Sequence, residues 1–270
     1  MSSAPLMLDR LWVCLLRERI PMDLDGCAAL VTGGSGDIGA AITRALAAAG
    51  ADVVVTYLSG RDRADSVAAE VAGHGRRSLV IRLDQADDQM PQHAVTTAAD
   101  HFGRLDILVN NAAWNIGIPF GDLDALTPEI WDRLYETNVR GPFLLARAAA
   151  PVMRAQRRGR IVNIASVGGL LPGGSSIGYA TSKAALIHLT RCLAVALAPH
   201  VLVNSVAPGL VEATRMFRRI PPEMVEAARR STLLDRGVRA SDVADQTVAF
   251  CRTDSATGQV LAVDGGIFSR

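Results

Sequence analysis

The sequence predicts an α/β protein, a single-domain doubly wound parallel sheet of about seven strands flanked by helices. Three observations carry that expectation. From Asp25 onward, short β-branched runs alternate with alanine-rich helical stretches, the pattern of successive βαβ units. The runs are apolar almost throughout, as strands covered on both faces by helices must be. Right-handed crossovers then make the doubly wound sheet the default arrangement. A chain of 270 residues, 49% hydrophobic and 4% aromatic, exceeds the usual domain size yet fits one large α/β domain with a sizeable core.

Residues 22–270 are assigned to that domain and residues 1–21 to an N-terminal extension. Within the extension, Leu11-Trp12-Val13-Cys14-Leu15-Leu16 is apolar but bracketed by Asp9, Arg10 and Arg17. Such a run is far too short for a spanning helix of roughly 20 residues or for a secretory core. It reads equally as a short amphipathic helix docking on the domain or on a neighbouring subunit, or as a segment ahead of a start at Met22.

The elements follow in order. A first strand at 28–32 leads into Thr32-Gly33-Gly34-Ser35-Gly36-Asp37-Ile38-Gly39, which opens a helix whose Ile42, Leu46 and Ala49 recur at helical spacing. A second strand at 53–57 ends on Tyr57 and is followed by Leu58-Ser59-Gly60-Arg61-Asp62-Arg63. The third, at 78–83, is followed by Asp84. The fourth, at 107–110, runs into Asn111-Ala112. The fifth, at 161–165, delivers Ser166. A long helix then carries Tyr179 and Lys183 and, beyond them, Leu186, Leu189, Leu193 and Leu197. The sixth, at 201–206, precedes Pro208-Gly209, and the seventh is at 260–263.

The glycine loop is a phosphate-binding candidate because of its place. Glycines let backbone amides approach a pyrophosphate, and the helix start adds unpaired donors and a partial positive charge. Gly34, Gly36 and Gly39 satisfy Gly-x-Gly-x-x-Gly between a strand and a helix, so the fold is expected to be Rossmann-like and to hold a dinucleotide through Gly33, Ser35, Gly36, Asp37, Ile38 and Gly39. Where an NAD enzyme usually places an acidic residue against the ribose, this chain has Tyr57. Ser59, Arg61 and Arg63 could receive a 2′-phosphate, which favours NADP (as NADPH), with NAD possible; the arginines could equally be the solvated start of a helix.

Chemistry is expected at Tyr179 and Lys183. Of 28 basic side chains only Lys183 is lysine, and only three tyrosines exist. Four residues apart on a helix, they share one face. A phenol with an ordinary pKa near 10 needs about 4 kcal/mol of differential stabilisation to exchange protons near neutrality, and a nearby cation acts in that direction.

Together these motifs resemble the short-chain dehydrogenase/reductase family over about residues 25–268, with ketoacyl-reductase-like features. The family loop usually reads Thr-Gly-x-x-x-Gly-x-Gly. Gly33 and Gly39 match it, while Asp37 stands where the middle glycine falls; Asp37 is expected to cap the helix, although a carboxylate there could weaken pyrophosphate binding. The resemblance implies that Tyr179 exchanges the substrate proton, that Ser166, 13 residues upstream, holds the substrate oxygen, and that Lys183 also binds the nicotinamide ribose. It further implies that Asn138 supports a proton relay through water. Asp84 meets the adenine or simply caps its loop. Asn111 and Ala112, then Pro208, Gly209, Val211 and Thr214, complete the cofactor set, Thr214 one residue out of the usual spacing.

The implied reaction is hydride transfer to a ketone or 3-oxoacyl carbonyl. The alternatives are an NAD-dependent alcohol dehydrogenase working oxidatively and a non-catalytic dinucleotide-binding regulator. Trp114, Leu170 and Phe217, with Ile116, Ile118, Phe120, Leu171 and Met216, are either pocket walls or loop packing. Arg215, Arg218 and Arg219 either meet an acidic carrier of the substrate or form a solvated face. Like the family, the chain is expected to form a homodimer or homotetramer through helices at about 142–157 and 179–198, where Ala146, Ala148, Ala149 and Ala150 either meet a partner or face the sheet.

With 28 basic and 27 acidic side chains, the net charge of +1 gives no global field to hold nucleic acid or anionic lipid, so neither partner is expected. Cys14, Cys27, Cys192 and Cys251 lie far apart with no Cys-x-x-Cys pair or nearby His. No metal site is expected, and reduced thiols fit a cytoplasmic protein.

Overall fold

The computed structural model describes residues 22–267, apart from the side chain of Arg219. The extension at 1–21, with its apolar run, lies outside the described residues.

Seven strands form one sheet: β1 (Ala28–Val31), β2 (Asp52–Tyr57), β3 (Ser78–Arg82), β4 (Ile107–Asn110), β5 (Gly159–Ile164), β6 (Val201–Pro208) and β7 (Val260–Val263). Every pairing is parallel and the order is β3-β2-β1-β4-β5-β6-β7. All seven expected strands are present, with ends displaced by at most about two residues, the ordinary scatter of element boundaries. The helices are α1 (Asp37–Ala48), α2 (Arg61–Gly73), α3 (Met90–Phe102), α4 (Pro128–Tyr135), α5 (Gly141–Ala155), α6 (Ile177–Leu197), α7 (Pro222–Arg230) and α8 (Ala240–Arg252). A π-helical turn, Glu136–Arg140, joins α4 to α5.

Strand alternation sorts the apolar side chains into two cores. Leu30, Leu108, Ile161 and Val203 pack on one face with Val95, Leu145 and Leu193 from α3, α5 and α6. Their neighbours Ala29, Val31, Ile107 and Val109 pack on the other with Ile42, Leu46 and Val243 from α1 and α8. The alanines of α5 are resolved by this division: Ala146, Ala148, Ala149 and Ala150 are all buried in the first core, so they face the sheet. Helix α6 is long and apolar enough to match a membrane span by length and composition, and half of that window is buried inside the protein.

The chain steps outward from β1 to β2 and β3, then returns to add β4 on the other side of β1. At such a reversal the loops leaving the two strands diverge and open a crevice beyond their carboxyl ends. Here those loops are the glycine loop after β1 and Asn111-Ala112 after β4.

Candidate active site

Thr32, fully buried, ties the two sides of the crevice together. Its hydroxyl accepts from Asn111 N and Ala112 N, both at 2.9 Å, while Asn111 Nδ2 donates to Thr32 O at 2.8 Å. Gly33 N donates to Thr56 Oγ1 at 3.0 Å, which seats the loop on β2. Gly33 has φ +60°, a left-handed conformation that glycine adopts freely. A Cβ on Gly39 would overlap the Gly33 carbonyl oxygen and approach Asn111 Nδ2 to 2.7 Å, so this turn needs its last glycine for packing.

Helix α1 begins at Asp37, with Gly36 as its N-cap and no side-chain cap. This corrects the expectation for Asp37. As the first helical residue its carboxylate is badly placed to bond the amides it was expected to cap. Instead Asp37 Oδ2 accepts from Arg215 N at 2.8 Å and lies 3.5 Å from Arg215 Nε, on a segment 178 positions away. The helix start thus keeps its uncapped first-turn donors, a good fit for a phosphate, while the one acidic charge there is countered by a guanidinium.

Beyond β2, Tyr57 packs with Ala40, Val55 and Ala64, whereas Ser59 is exposed. Arg61 Nε lies 3.4 Å from Asp65 Oδ2 on the same exposed helix face. Arg63 differs: it lines a cavity of about 490 Å³ with Ser35, Gly36, Asp37, Ser66 and Thr214. Asp84 Oδ1 accepts from Ala86 N at 3.0 Å, so one of its oxygens closes its own loop. Sequence reasoning missed the next residue. Buried Gln85 donates through Nε2 to Ala112 O at 2.9 Å and to Thr137 O at 2.7 Å, joining the β4 loop to the π-helical turn. A polar residue in the loop shortly after an apolar strand was its only signal.

Asn138 sits in that turn, 1% exposed. Its Oδ1 accepts from Trp114 N and its Nδ2 donates to Trp114 O, both at 2.9 Å, and Nδ2 also donates to Ser182 Oγ at 3.0 Å. The side chain is therefore a brace between the β4 loop and α6. Trp114 lies under the Arg133 guanidinium, 4.3 Å from the ring centre.

Ser166 follows β5 and accepts from Gly168 N at 3.1 Å. Its hydroxyl hydrogen-bonds the Tyr179 side chain. Ser176 caps α6 through Tyr179 N at 3.1 Å, which fixes where the helix starts and hence where its first turn presents the phenol. Lys183, one turn on and 2% exposed, donates from Nζ to Ile164 O at 2.8 Å and stands 5.7 Å from the Tyr179 ring centre. Burial pulls its ammonium down to about 8. Burial also pushes the Tyr179 phenol above its ordinary value, with the Ser166 hydrogen bond opposing. Burial therefore moves the phenol opposite to the depression expected from the lysine, and the opposing effect comes from the Ser166 hydrogen bond.

The segment after β6 closes the site. Gly209 N donates to Val263 O at 2.9 Å, and Val211 bridges Val238. Thr214, expected to offer its hydroxyl outward, is 6% exposed and closes a turn instead: Oγ1 donates to Val211 O at 2.9 Å and accepts from Phe217 N at 3.1 Å. Leu170 is partly buried and packs against Ala165, Leu186, Ile187 and Ala207. Met216 Sδ accepts from Asn115 Nδ2 at 2.8 Å, bringing the lid, residues 213–218, onto the β4 loop beside Trp114.

A sequence model described as short chain dehydrogenase matches residues 27–224. A Streptomyces violaceoruber protein assigned as ketoacyl reductase 2 of the granaticin polyketide synthase is 40% identical over 240 residues, covering 88% of this chain and 94% of that protein. A 3-oxoacyl-[acyl-carrier-protein] reductase of Synechocystis is 37% identical, covering 88% and 96%. Among solved structures, a blue fluorescent protein from a metagenomic library, in complex with NADPH, superposes with a TM-score of 0.81 at 36% identity, covering 91% of this chain and 99% of that one.

Proposed function

The chain belongs to the short chain dehydrogenase family, and from that premise we propose that it is an NADPH-dependent ketoreductase, reducing a ketone or 3-oxoacyl carbonyl to a secondary alcohol. The observation that carries this reading is the union of Ser166, Tyr179 and Lys183 at the carboxyl edge of β5 and the first two turns of α6. The relatives named as ketoacyl and 3-oxoacyl-[acyl-carrier-protein] reductases support a carrier-bound substrate.

The cofactor would lie along Gly33, Ser35, Gly36, Ile38 and Gly39, with Asp84 near its adenine, Asn111 and Ala112 beneath it, and Pro208, Gly209 and Val211 at its nicotinamide end. Bound there, reduced nicotinamide supplies a hydride to the carbonyl carbon. Ser166 donates a hydrogen bond to the carbonyl oxygen as it gains negative charge. Tyr179 gives that oxygen its phenolic proton as general acid. A phenol held protonated by burial suits this direction, since it enters each turnover with the proton in place. Lys183, charged below about pH 8, stabilises the phenolate left behind. A 2′-phosphate would enter the cavity beside Ser35 and Arg63.

The test replaces Tyr179 with Phe. Turnover of a 3-oxoacyl thioester is expected to vanish while NADPH still quenches protein fluorescence as in the wild type; substantial residual turnover would overturn the assignment.

A further inference from the structure

We infer that Asp37 is a positioning residue that latches the lid to the phosphate-binding loop and sets Arg215 as the cation over that loop. The inference rests on the dinucleotide-binding reading above and extends it to two residues that the reaction itself does not require.

The carboxylate of Asp37 stands in the first turn of α1, where a pyrophosphate would be attracted by the same amides and the same helix field. Alone it would repel the ligand. Its hydrogen bonds, however, run to the backbone amide and side chain of Arg215. Arg215 Nη2 in turn comes within 3.8 Å of the position a Cβ on Gly36 would take. The guanidinium therefore overhangs the loop where glycine leaves the approach open, and the acidic charge is what holds it there.

The lid is built to transmit this contact. Its base is fixed by Glu212, whose N donates to Val238 O at 2.7 Å and whose Oε1 accepts from Arg229 Nε at 2.7 Å. Ala213 then takes φ +61°, a left-handed conformation that is strained for a non-glycine residue; it turns the chain so that Arg215 meets Asp37. The next residue, Met216, accepts from Asn115, whose neighbour Trp114 is bonded to Asn138. Two consecutive lid residues thus touch opposite walls of the crevice, one at the phosphate end and one beside the chemistry. Ordering either contact orders the other, so cofactor binding and closure over the substrate reinforce each other.

The test uses the full chain and NADPH. Asp37→Ala, Arg215→Ala and the double variant are titrated by fluorescence quenching, and amide hydrogen exchange is followed over residues 213–218. Both side chains are exposed, and thermal unfolding checks that each variant folds. Each single change is expected to weaken NADPH binding about tenfold, with the double no weaker than the worse single, as coupled residues behave. Lid amides are expected to exchange faster in all three, and the KM for NADPH to rise more than kcat falls. Arg215→Lys, which keeps a cation on the same backbone bond to Asp37, is expected to recover most of the affinity. Unchanged or tighter binding by Asp37→Ala would overturn the latch, because loss of a carboxylate that merely repels phosphate strengthens binding; additive losses in the double would overturn it too. A wild type that binds neither NADPH nor NADH would overturn the dinucleotide reading together with the latch, whereas a wild type that binds beside indifferent variants overturns the latch alone.

Discussion

The only lysine of the chain is held by a single carbonyl, Ile164 O, in an environment that weakens its hold on a proton. Losing the proton near pH 8 removes the charge that stabilises a phenolate beside it, while the phenol itself, raised by burial, stays protonated well past that point. Reductive kcat/KM is therefore expected to fall about tenfold per pH unit above pH 8, as a pH profile with saturating NADPH will show. A profile flat to pH 10 would leave the lysine's charge without a role. The two arginines after β2 are separated in the same way, by their surroundings. Arg61 faces Asp65 in solvent, and such an exposed pair contributes little; Arg63 lines the cavity with Ser35. Arg63→Ala is expected to cut the preference for NADPH over NADH about tenfold or more, and Arg61→Ala to change it by less than twofold, in parallel titrations.

At the scale of elements, what positions the chemistry is a set of polar braces between strands and helices. Asn110 Nδ2 donates to Asn163 Oδ1 at 2.8 Å, and Asn163 Nδ2 to Thr190 Oγ1 at 2.9 Å, so β4, β5 and α6 are locked in register behind Tyr179. Ser182 Oγ, which receives the Asn138 bond, donates to Tyr179 O at 2.7 Å. The loop after β1 has a steric counterpart to these braces. Gly39→Ala would force a methyl onto the Gly33 carbonyl, and overpacking of this kind costs about 1–3 kcal/mol. Thermal unfolding is expected to show that loss, and NADPH binding to weaken with it, because the displaced backbone is the proposed phosphate cradle.

Two large apolar side chains on α5 and α6 are left uncovered by the fold. The alanines of α5 are turned inward, but Phe143 on α5 and Val195 on α6 are exposed by 41% and 83%. A surface groove beside Phe143 and the π-helical turn is lined by Tyr135, Val139, Phe143 and Leu189 together with the charged Asp132, Glu136 and Arg140. Light scattering of the purified protein is expected to give a dimer or tetramer, with Phe143→Glu shifting it toward monomer; a wild type that is monomeric at micromolar concentration would refute association through these helices.

Strand number, the parallel arrangement and the site of the glycine loop were legible in the sequence, because buried strands must be apolar and dinucleotide loops must be glycine-rich, and both demands are local. The pairing of Tyr179 with Lys183 was legible for the same reason, a one-turn spacing on a single helix. The tertiary structure alone decided the partners. Asp37 reaches Arg215 rather than its own helix, Thr214 turns inward, Gln85 and Asn115 join loops that are distant in sequence, and burial raises the phenol rather than lowering it. Each of these depends on which segments meet and how much water is removed when they do, and neither is set by the residues on one stretch of chain.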